Sequence, residues 1–590
     1  MTTRPTFPLH TSAWIPLMDR TTGANVEVGI TEALTRAHEL SLHDASDEGI
    51  AVLRLLAAVL DAAAGPRTVK EWDAAWKAPA LPVERITAYL EQWADRLDLL
   101  HPEHPAFQCA ALGADVVNRG PAALHPASLG GSGAAWFNKE LYDEDSMRPW
   151  TLAEAARRML WLLAYDVAGI KPALPDDPKG SKSKIYGGHL GPLGFATHIH
   201  VQAPGSMLKD LLLLNLPPQK RAKGDMPVWE REAPGPFMRE RVPTGRLDVW
   251  TWPTRRIRLH ASPIEDRPGE LGVKQIALYD GDRATGPQPA WGADPMTAWS
   301  VYSSGKTGPQ QLLDASDWPK PWPAARLLHS PTPSADSSTV IDHVVAAASR
   351  KALPADLWLR VVMSVTLHAN RHKSTIAAIP TPQLPLGTVG QLADPDQRTA
   401  LARRARAADA LAKDVVQRTV KATLFSADQL KHRLALTGME VEDAWEKTIV
   451  ATGRDVEEGR RLWRAALLDM VDRGLDQVPL NMMQRAKLKA DVRKHYPSAE
   501  AQDAAAEAAK SAPRKRRPTK GKVTRYDVFG GSYTISQISR MPECVVSYIT
   551  LKSRVEEKGW DIHTAATTPG GRGGPRRHDT PDDPDTSSEE

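Results

Sequence analysis

Residues 51–60, A-V-L-R-L-L-A-A-V-L, form the centre of an apolar segment near the start of the chain. Within it Leu53, Leu56, Ala57 and Leu60 recur at the spacing of one helix face. The pattern predicts a helix over residues 47–63.

On both sides of this segment, up to residue 390, stretches with helical periodicity alternate with short apolar runs. Thr151 and Glu154 form a capping-box pattern at the start of a predicted helix over 151–168. Strands are predicted over 196–202, 247–260 and 273–279. Because proline and glycine interrupt these segments, we expect an irregular mixed domain of the α+β class over 1–390.

Two long segments, 169–194 and 217–245, show no regular pattern. Loops of this length are unusual in a compact domain and are more often functional or disordered. We therefore look for functional residues there.

The amino-acid composition changes near residue 393, because proline is rare from there to Pro479. Apolar residues follow helical periodicity beyond this point, including Leu401, Ala405, Ala408, Leu411, Val415 and Val416. The pattern predicts an α-helical (four-helix) bundle over 391–510. Its first helix carries Arg403, Arg404 and Lys413, which form either a solvated face or a basic surface along DNA.

The composition is typical of a soluble protein with several domains. At 590 residues the chain is long enough for three or four units, and 42% of its residues are hydrophobic. No run approaches the roughly 20 apolar residues of a membrane span, and the N-terminus lacks the apolar region of a signal peptide. Two cysteines, Cys109 and Cys544, argue against a disulfide framework or a cysteine-rich zinc site and favour the cytoplasm.

Charge is distributed unevenly, although the formal net charge is only +4. A basic linker over 511–525 contains no acidic residue and carries Arg514, Lys515, Arg516, Arg517, Lys520, Lys522 and Arg525. The tail over 568–590 is predicted to be disordered and ends in an acidic run. The linker is either a solvated connector or a contact for phosphates.

A small helical module is predicted over 526–567. Thr534 and Gln537 fit a capping box on a first short helix, Pro542 helps to end it, and Ser547 caps a second helix that ends before Gly559. The pattern resembles helix-turn-helix modules appended to phage and homing-endonuclease proteins, in which the second helix faces DNA. The alternative is a helical hairpin that packs on the chain's own body.

Motifs for catalysis are incomplete. Gly305, Lys306 and Thr307 supply only the end of a phosphate-binding loop, because Ser300 stands where its first glycine is required. His198 and His200 share one face of a predicted strand and could hold a metal, but no third ligand has convincing spacing. Ordinary packed histidines are the favoured interpretation, and we expect no enzyme activity, no cofactor and no metal.

Several blocks resemble, in order and spacing, the large subunit (CasA family) of the type I-E CRISPR Cascade surveillance complex over about residues 1–505. They are F-P-L-H-T-S-A-W-I-P-L at 7–17, I-T-E-A-L-T-R-A-H-E-L at 30–40, A-V-L-R-L-L-A-A-V-L at 51–60, H-P-E-H-P-A-F-Q at 101–108, W-F-N at 136–138, K-I-Y-G-G-H-L-G-P-L-G at 184–194, L-L-L-L-N-L-P at 211–217, W-T-W-P-T-R-R-I-R-L at 250–259, L-Y-D-G-D-R at 278–283, D-P-M-T-A-W at 294–299 and Q-L-P-L at 383–386.

The resemblance implies a non-catalytic subunit that recognises the protospacer-adjacent motif (PAM) in double-stranded DNA. Such a subunit promotes duplex opening and R-loop formation and recruits the helicase-nuclease for antiviral defence. The implied partners are other Cascade subunits, the guide CRISPR RNA, target DNA and the CRISPR-associated helicase-nuclease, with no membrane. The C-terminal module has no counterpart in this resemblance.

Three elements of that family read the motif from the minor groove, a glycine loop, a basic finger and a wedge. The glycine loop matches Gly187 and Gly188, with Lys182 and Lys184 close by; Gly191 and Gly194 are alternatives in the same block. Glycine lets the backbone approach the floor of a groove about 6 Å wide.

The basic finger matches Arg283, whose alternative role is that of a turn arginine after Gly281 and Asp282. The wedge matches His372, Lys373 and Ser374, where the family commonly has an asparagine-glutamine-small pattern. A wedge side chain replaces stacking when base pairs separate.

Trp136, Phe137 and Asn138 match a loop that reaches the guide RNA and the neighbouring subunits. Their alternative role is that of aromatic residues in the chain's own core. Residues Arg403, Arg404 and Lys413 would hold the displaced strand.

Two further hypotheses belong to other classes. The chain could be a phage- or plasmid-related DNA-binding regulator whose main reader is the C-terminal helix-turn-helix. It could also be a metal-dependent nuclease, with His198 and His200 as its only hint.

Overall fold

The computed structural model describes residues 4–42, 46–113, 116–124, 149–166, 170–186, 191–194, 197–285, 293–300, 311–312, 339–368, 375–380, 384–400, 456–476, 480–495 and 524–568. The chain divides into two compact units, Met1–Gln502 and Asp503–Glu590.

Helices of the first unit are α1 (Ile30–Thr35), α2 (Asp47–Ala64), α3 (Val69–Lys77), α4 (Val83–Gln92), α5 (Leu152–Tyr165), α6 (Leu208–Leu214), α7 (Arg246–Trp250), α8 (Thr339–Ser349), α9 (Val389–Ala393), α10 (Val456–Asp476) and α11 (Met482–His495).

Strands of the first unit are β1 (Ile15–Asp19), β2 (Asn25–Val28), β3 (Leu40–Ser41), β4 (Trp150–Thr151), β5 (Lys171–Pro172), β6 (Lys184–Ile185), β7 (Thr197–Gln202), β8 (Glu240–Arg241), β9 (Arg255–Pro263), β10 (Leu271–Asp280), β11 (Arg283–Ala284), β12 (Thr297–Ser300), β13 (Gln311–Leu312), β14 (Trp358–His368), β15 (Thr375–Pro380) and β16 (Leu384–Thr388).

Helix α2 lies at the centre of the first unit. The Ser46 hydroxyl caps it by accepting from the backbone N–H of Gly49, and every residue from Gly49 to Asp61 is buried. It packs against α4, α5 and α7. The predicted helix over 47–63 is confirmed. It is covered on all sides because most of its circumference is apolar or small and its two buried charges, Arg54 and Asp61, are paired with Asp294 and Arg246.

Helix α5 begins with the predicted capping box. The Thr151 hydroxyl accepts from the Glu154 N–H, and the Glu154 carboxylate accepts from the Thr151 N–H. The helix ends at Tyr165, so the prediction of an end at 168 is wrong. Asp166 leaves the helical conformation, and its carboxylate binds Lys171 and Arg255 instead.

The described strands form several separate sheets rather than one continuous sheet. Strands β2, β1 and β3 form one sheet, β4, β10 and β9 form a second, and β13, β12, β7, β14 and β15 form a third, in which β16 also pairs with β14. Together with the helices they give the mixed α+β architecture that the sequence predicts.

Two of the three strand predictions are confirmed, because β7 and β10 cover 197–202 and 271–280. The predicted strand over 247–260 is wrong in its first part. Residues 246–250 form α7, and β9 starts only at Arg255. The buried Arg246 guanidinium binds the Asp61 carboxylate, and this long-range ion pair holds α7 against α2.

Of the predicted bundle over 391–510, the described residues are 391–400, 456–476 and 480–495. Helices α10 and α11 are antiparallel, because Asp472 binds Arg493 while Asp476 binds Lys489. Leu475, Leu488 and Val492 are buried. Residues 401–455 lie outside the described residues, so the four-helix arrangement and the domain boundary at 390 stay predictions.

The second unit combines a hairpin with helices. Strands β17 (Tyr526–Val528) and β18 (Gly531–Tyr533) precede helices α12 (Ile535–Ile538), α13 (Tyr548–Lys552) and α14 (Ile562–Thr567), and a π-helical turn over Ser553–Glu557 extends α13. The predicted caps of α12 by Thr534 and Gln537 and of α13 by Ser547 are confirmed. The hairpin and α14 were not predicted.

Among the described residues no single helix is long and apolar enough to cross a membrane; α2 and α3 pass that test only as a pair, bent by 111°.

We expect Asp61→Asn to lower the free energy of unfolding by about 3–5 kcal/mol, because it leaves the buried Arg246 without its countercharge. The matched control is Glu270→Gln, which removes a carboxylate from an exposed pair with Arg267 and should cost about 1 kcal/mol or less. Urea unfolding of the purified chain measures both. Equal midpoints for the two variants would contradict this role of the Asp61–Arg246 pair.

Candidate nucleic-acid interface

Of the residues predicted to contact DNA or RNA, Lys182, Lys184 and Arg283 are described. Those outside the described residues are Gly187, Gly188, Trp136, Phe137, Asn138, His372, Lys373, Ser374, Arg403, Arg404 and Lys413.

Lys182 lies in a tight turn between β5 and β6. Ser181 and Lys184 exchange backbone hydrogen bonds of 2.8 and 3.0 Å, and the two residues between them, Lys182 and Ser183, have φ angles of 51° and 56°. This is the geometry of a two-residue hairpin turn that normally favours glycine or asparagine, and the left-handed conformation costs other residues about 1 kcal/mol each. The turn exposes Lys182 and Lys184, while Ile185 is buried.

Gly191 and Gly194 serve the packing of the chain itself. A Cβ atom at Gly191 would lie 2.4 Å from the Ala164 carbonyl oxygen, and one at Gly194 would lie 2.7 Å from that of Asp166. Both glycines are buried against the end of α5. The structure therefore contradicts them as alternatives for a glycine loop that approaches DNA.

The lysine turn and the finger are joined by a chain of buried ion pairs. The Lys171 ammonium in β5 lies 2.9 Å from the Asp166 carboxylate, which also binds the Arg255 guanidinium at the start of β9. Arg255 in turn lies 3.2 Å from Asp280 at the end of β10. Arg283 follows Asp280 by three residues, so this chain fixes the base of the finger relative to the hairpin.

Burial shifts the pKa values of Lys171 and Asp280 in this chain of ion pairs. Burial lowers the pKa of Lys171, and the neighbouring Arg255 lowers it further against the opposite effect of Asp166. Burial raises the pKa of Asp280, against the opposing effects of Arg255 and Lys171. The ion pairs are thus located where solvent contributes little to their stabilisation.

The finger itself begins with a glycine that no other residue can replace without a shift of the backbone. A Cβ atom at Gly281 would lie 2.3 Å from the carbonyl oxygen of Pro253. The next residue, Asp282, donates its backbone N–H to the same oxygen at 2.9 Å, and its carbonyl accepts from the Trp252 indole. The chain therefore packs closely against the residues that lead into β9 immediately before Arg283.

Asp282 is fully buried, and its carboxylate binds Arg239, Arg241 and Arg256. Burial alone would raise the pKa of Asp282, but Arg256 and the hydrogen bonds from the other two arginines outweigh it, so the pKa lies below its ordinary value. Arg241 also binds Asp248 in a bidentate manner, at 2.7 and 2.9 Å. Asp282 is thus held in its charged form by three cations.

Arg283 lies on β11, which pairs in parallel with β8, rather than inside the turn. Its backbone N–H donates to the Arg239 carbonyl at 2.7 Å. The side chain is 30% exposed, and its guanidinium lies 3.3 Å from the Glu240 carboxylate. A partly exposed arginine on a fixed backbone can contact a groove or a phosphate.

The sequence-based predictions did not include Asp166, Asp282, Arg241 and Glu240. The sequence does indicate buried ion pairs here, because charged residues interrupt the apolar runs at W-T-W-P-T-R-R-I-R-L and L-Y-D-G-D-R. Charges inside buried strands are expected to be paired. Their partners, however, come from distant positions that spacing along the chain does not give.

His198 and His200 are buried neighbours on β7, as predicted for one strand face. The Nε2 atom of His198 lies 3.2 Å from Nδ1 of His200. Burial lowers the pKa of His200 to about 4 and that of His198 well below its ordinary value. Within the described part of the chain no group of three or more potential ligands could hold a metal ion. The arrangement favours packed, neutral histidines.

The second unit exposes one side of α13. The side chains of Tyr548 and Lys552 are exposed there, and Ile549 is 78% exposed. Arg554, by contrast, is buried; it stacks on Trp560 and donates to the carbonyl oxygen of Ala565. Arg554 and Trp560 are therefore structural, and the residues available for contact lie along the exposed side of α13.

The profile of the family described as CRISPR-associated protein Cse1 matches residues 8–474. A CasA/Cse1 protein of Thermus thermophilus is 35% identical over 270 residues, which are 43% of this chain and 49% of that protein. The match thus spans about half the length of this relative. The second unit lies beyond the family match.

Solved structures share the fold. A crystal structure of Thermobifida fusca Cse1 has a TM-score of 0.66 at 24% identity, covering 84% of this chain and 98% of that one. A chain of a CRISPR RNA-guided surveillance complex has a TM-score of 0.60 at 17% identity, covering 84% of this chain and 100% of that one. At these identities the likeness shows the fold alone.

We expect the free energy of unfolding to fall as the pH drops from 6.5 towards 4. His200 stays neutral in the folded chain while its ordinary pKa of 6.5 lets the unfolded chain bind a proton. In His200→Gln the fall should be shallower by about 1.4 kcal/mol per pH unit below pH 6. Urea unfolding at several pH values measures the difference. Identical pH profiles, or zinc binding that is lost in the variant, would contradict the structural role of this pair.

Proposed function

This chain belongs to the CRISPR-associated protein Cse1 family, and from that premise we propose that it is the large subunit of a type I-E CRISPR Cascade complex. In this role it recognises the PAM in double-stranded DNA, promotes duplex opening and R-loop formation, and recruits the helicase-nuclease for antiviral defence. It acts without catalysing a reaction itself, because the chemistry resides in the recruited partner. Its partners are the other Cascade subunits, the guide RNA and target DNA, and it acts in the cytoplasm.

The position of Arg283 is the main structural support for this proposal. Arg283 is partly exposed at the end of a buried network in which Asp282 binds three arginines. A cation held on a fixed backbone suits the minor groove, whose negative potential attracts arginine and lysine. The exposed Lys182 and Lys184 lie on the hairpin that the Lys171–Asp166–Arg255 chain ties to the base of the finger, and they add contacts for phosphates.

The other proposed contacts lie outside the described residues. We assign Gly187 and Gly188 to the glycine loop, His372, Lys373 and Ser374 to the wedge, Trp136, Phe137 and Asn138 to the guide RNA and neighbouring subunits, and Arg403, Arg404 and Lys413 to the displaced strand. The hypothesis of a regulator whose main reader is the C-terminal module receives no support from the family match, which ends at residue 474.

The second unit is proposed as an additional DNA contact. Residues 526–568 carry four lysines and arginines and five acidic residues, so the electrostatic contribution must come from the basic linker before them. The exposed Tyr548, Ile549 and Lys552 offer the apolar and polar groups that a second helix presents to a groove. The linker would then supply affinity, and α13 would supply close contact.

We expect Arg283→Ala to weaken the binding of the assembled complex to a duplex with the motif by about tenfold to a hundredfold, the value of a hydrogen bond from a charged group. The matched control is Arg267→Ala, which removes an exposed arginine from the loop at the opposite end of β10. Fluorescence anisotropy with labelled duplexes measures both. Equal affinities of the parent and Arg283→Ala complexes would contradict the finger.

Replacement of the seven linker cations by glutamine should reduce the dependence of DNA affinity on salt, because each phosphate contact contributes about 0.9 to the slope of log K against log salt concentration. Tyr548→Ala with Ile549→Ala should weaken binding and leave that slope unchanged. Binding isotherms at a series of salt concentrations distinguish the two effects. A slope that is unaffected by the linker substitutions would show that the linker does not contact phosphates.

A further inference from the structure

The short ribbon of β8 and β11 separates two charge systems on its two faces. On one face Arg239 and Arg241 bind the buried Asp282. On the other, Glu240 binds Arg283, and the two residues are directly in register. This separation follows from the alternation of side chains along a strand. The cation proposed to read DNA therefore faces a carboxylate of its own chain.

The backbone holds these two residues opposite each other. Arg283 donates its N–H to Arg239 at 2.7 Å, and Thr285 donates to Arg241 at 2.9 Å. The Asp282 carboxylate binds the side chain of Arg241 in β8 and that of Arg239 immediately before this strand. Separation of Arg283 from Glu240 consequently requires rotation of side chains rather than displacement of the strands.

Both side chains can make that rotation, because Arg283 is 30% exposed and Glu240 is 40% exposed. An ion pair with this exposure contributes little to stability and is open to exchange with other ligands. A DNA phosphate or a groove edge is such a ligand for a guanidinium. Once Arg283 turns to DNA, the Glu240 carboxylate loses its cation and stays close to the negative charge of the duplex.

We propose that Glu240 is an intramolecular competitor of DNA for Arg283 and thereby sets how strongly the finger engages the target. The inference rests on the proposed function of Arg283. Asp282 is the positioning residue of this arrangement, since it binds the strand that carries Glu240 and directly precedes Arg283. The Arg283–Glu240 pair lowers the affinity for DNA by the free energy needed to break the pair. Binding offsets this cost only where the Arg283 guanidinium makes a strong contact with the duplex.

The test is Glu240→Gln in the assembled complex. Glutamine keeps the shape and one acceptor oxygen of the side chain but removes its charge. Target affinity should rise by about two- to fivefold, which is the range expected from an exposed ion pair. Glu270→Gln, which removes a carboxylate from the exposed pair with Arg267, should leave affinity unchanged.

A double-mutant cycle with Arg283→Ala separates the possible causes. Competition predicts that Glu240→Gln has no effect on affinity once Arg283 is absent. An equal rise in both backgrounds would show general repulsion of phosphates and overturn the competitor role. If Arg283→Ala weakens binding while Glu240→Gln does nothing, the finger stands and this inference fails. If Arg283→Ala itself leaves affinity unchanged, the proposed function of Arg283 fails first.

Discussion

The proposed DNA contacts of the first unit depend on Asp166, which joins three segments at one point. Its carboxylate binds Lys171 of β5 and Arg255 of β9, and its carbonyl oxygen accepts from the N–H of Gly191 at 2.8 Å. Asp166 also ends α5, whose first turn adjoins β4 on the edge of β10. The helix is therefore fixed at both of its ends to the β9–β10 hairpin.

The dimensions of these elements agree. The 14 residues of α5 span about 21 Å, and the part of β10 from Val273 to Asp280 spans about 23 Å. A helix and a strand of matching length thus connect the contact with β4 to the buried ion pairs near Arg283. The apolar core around α2 stabilises the fold, and α5 with β10 fixes the position of the backbone that leads to Arg283.

The buried ion pairs fix the position of Arg283 more than they stabilise the fold. Removal of charges from water costs several kcal/mol per ion in real proteins, so such pairs contribute little to net stability while broken pairs cost much. In the first unit they join segments that are apart in the chain, such as Asp61 with Arg246 and Asp282 with Arg256. A structure that is costly to rearrange keeps Arg283 in one place, and Glu240 can then oppose it at a defined distance.

The sequence by itself determined the local elements and the family. Helix α2, both capping boxes at Thr151 and Thr534, and strands β7 and β10 follow from periodicity and hydrogen bonds within a few residues, which a chain shows directly. Only the tertiary structure decided that 246–250 is helical, that Gly191 and Gly194 pack against α5, and that Asp166 and Asp282 hold the finger. The reason is physical: a buried charge needs a partner, but its partner can come from any part of the chain, and only folding specifies which arginine reaches which carboxylate.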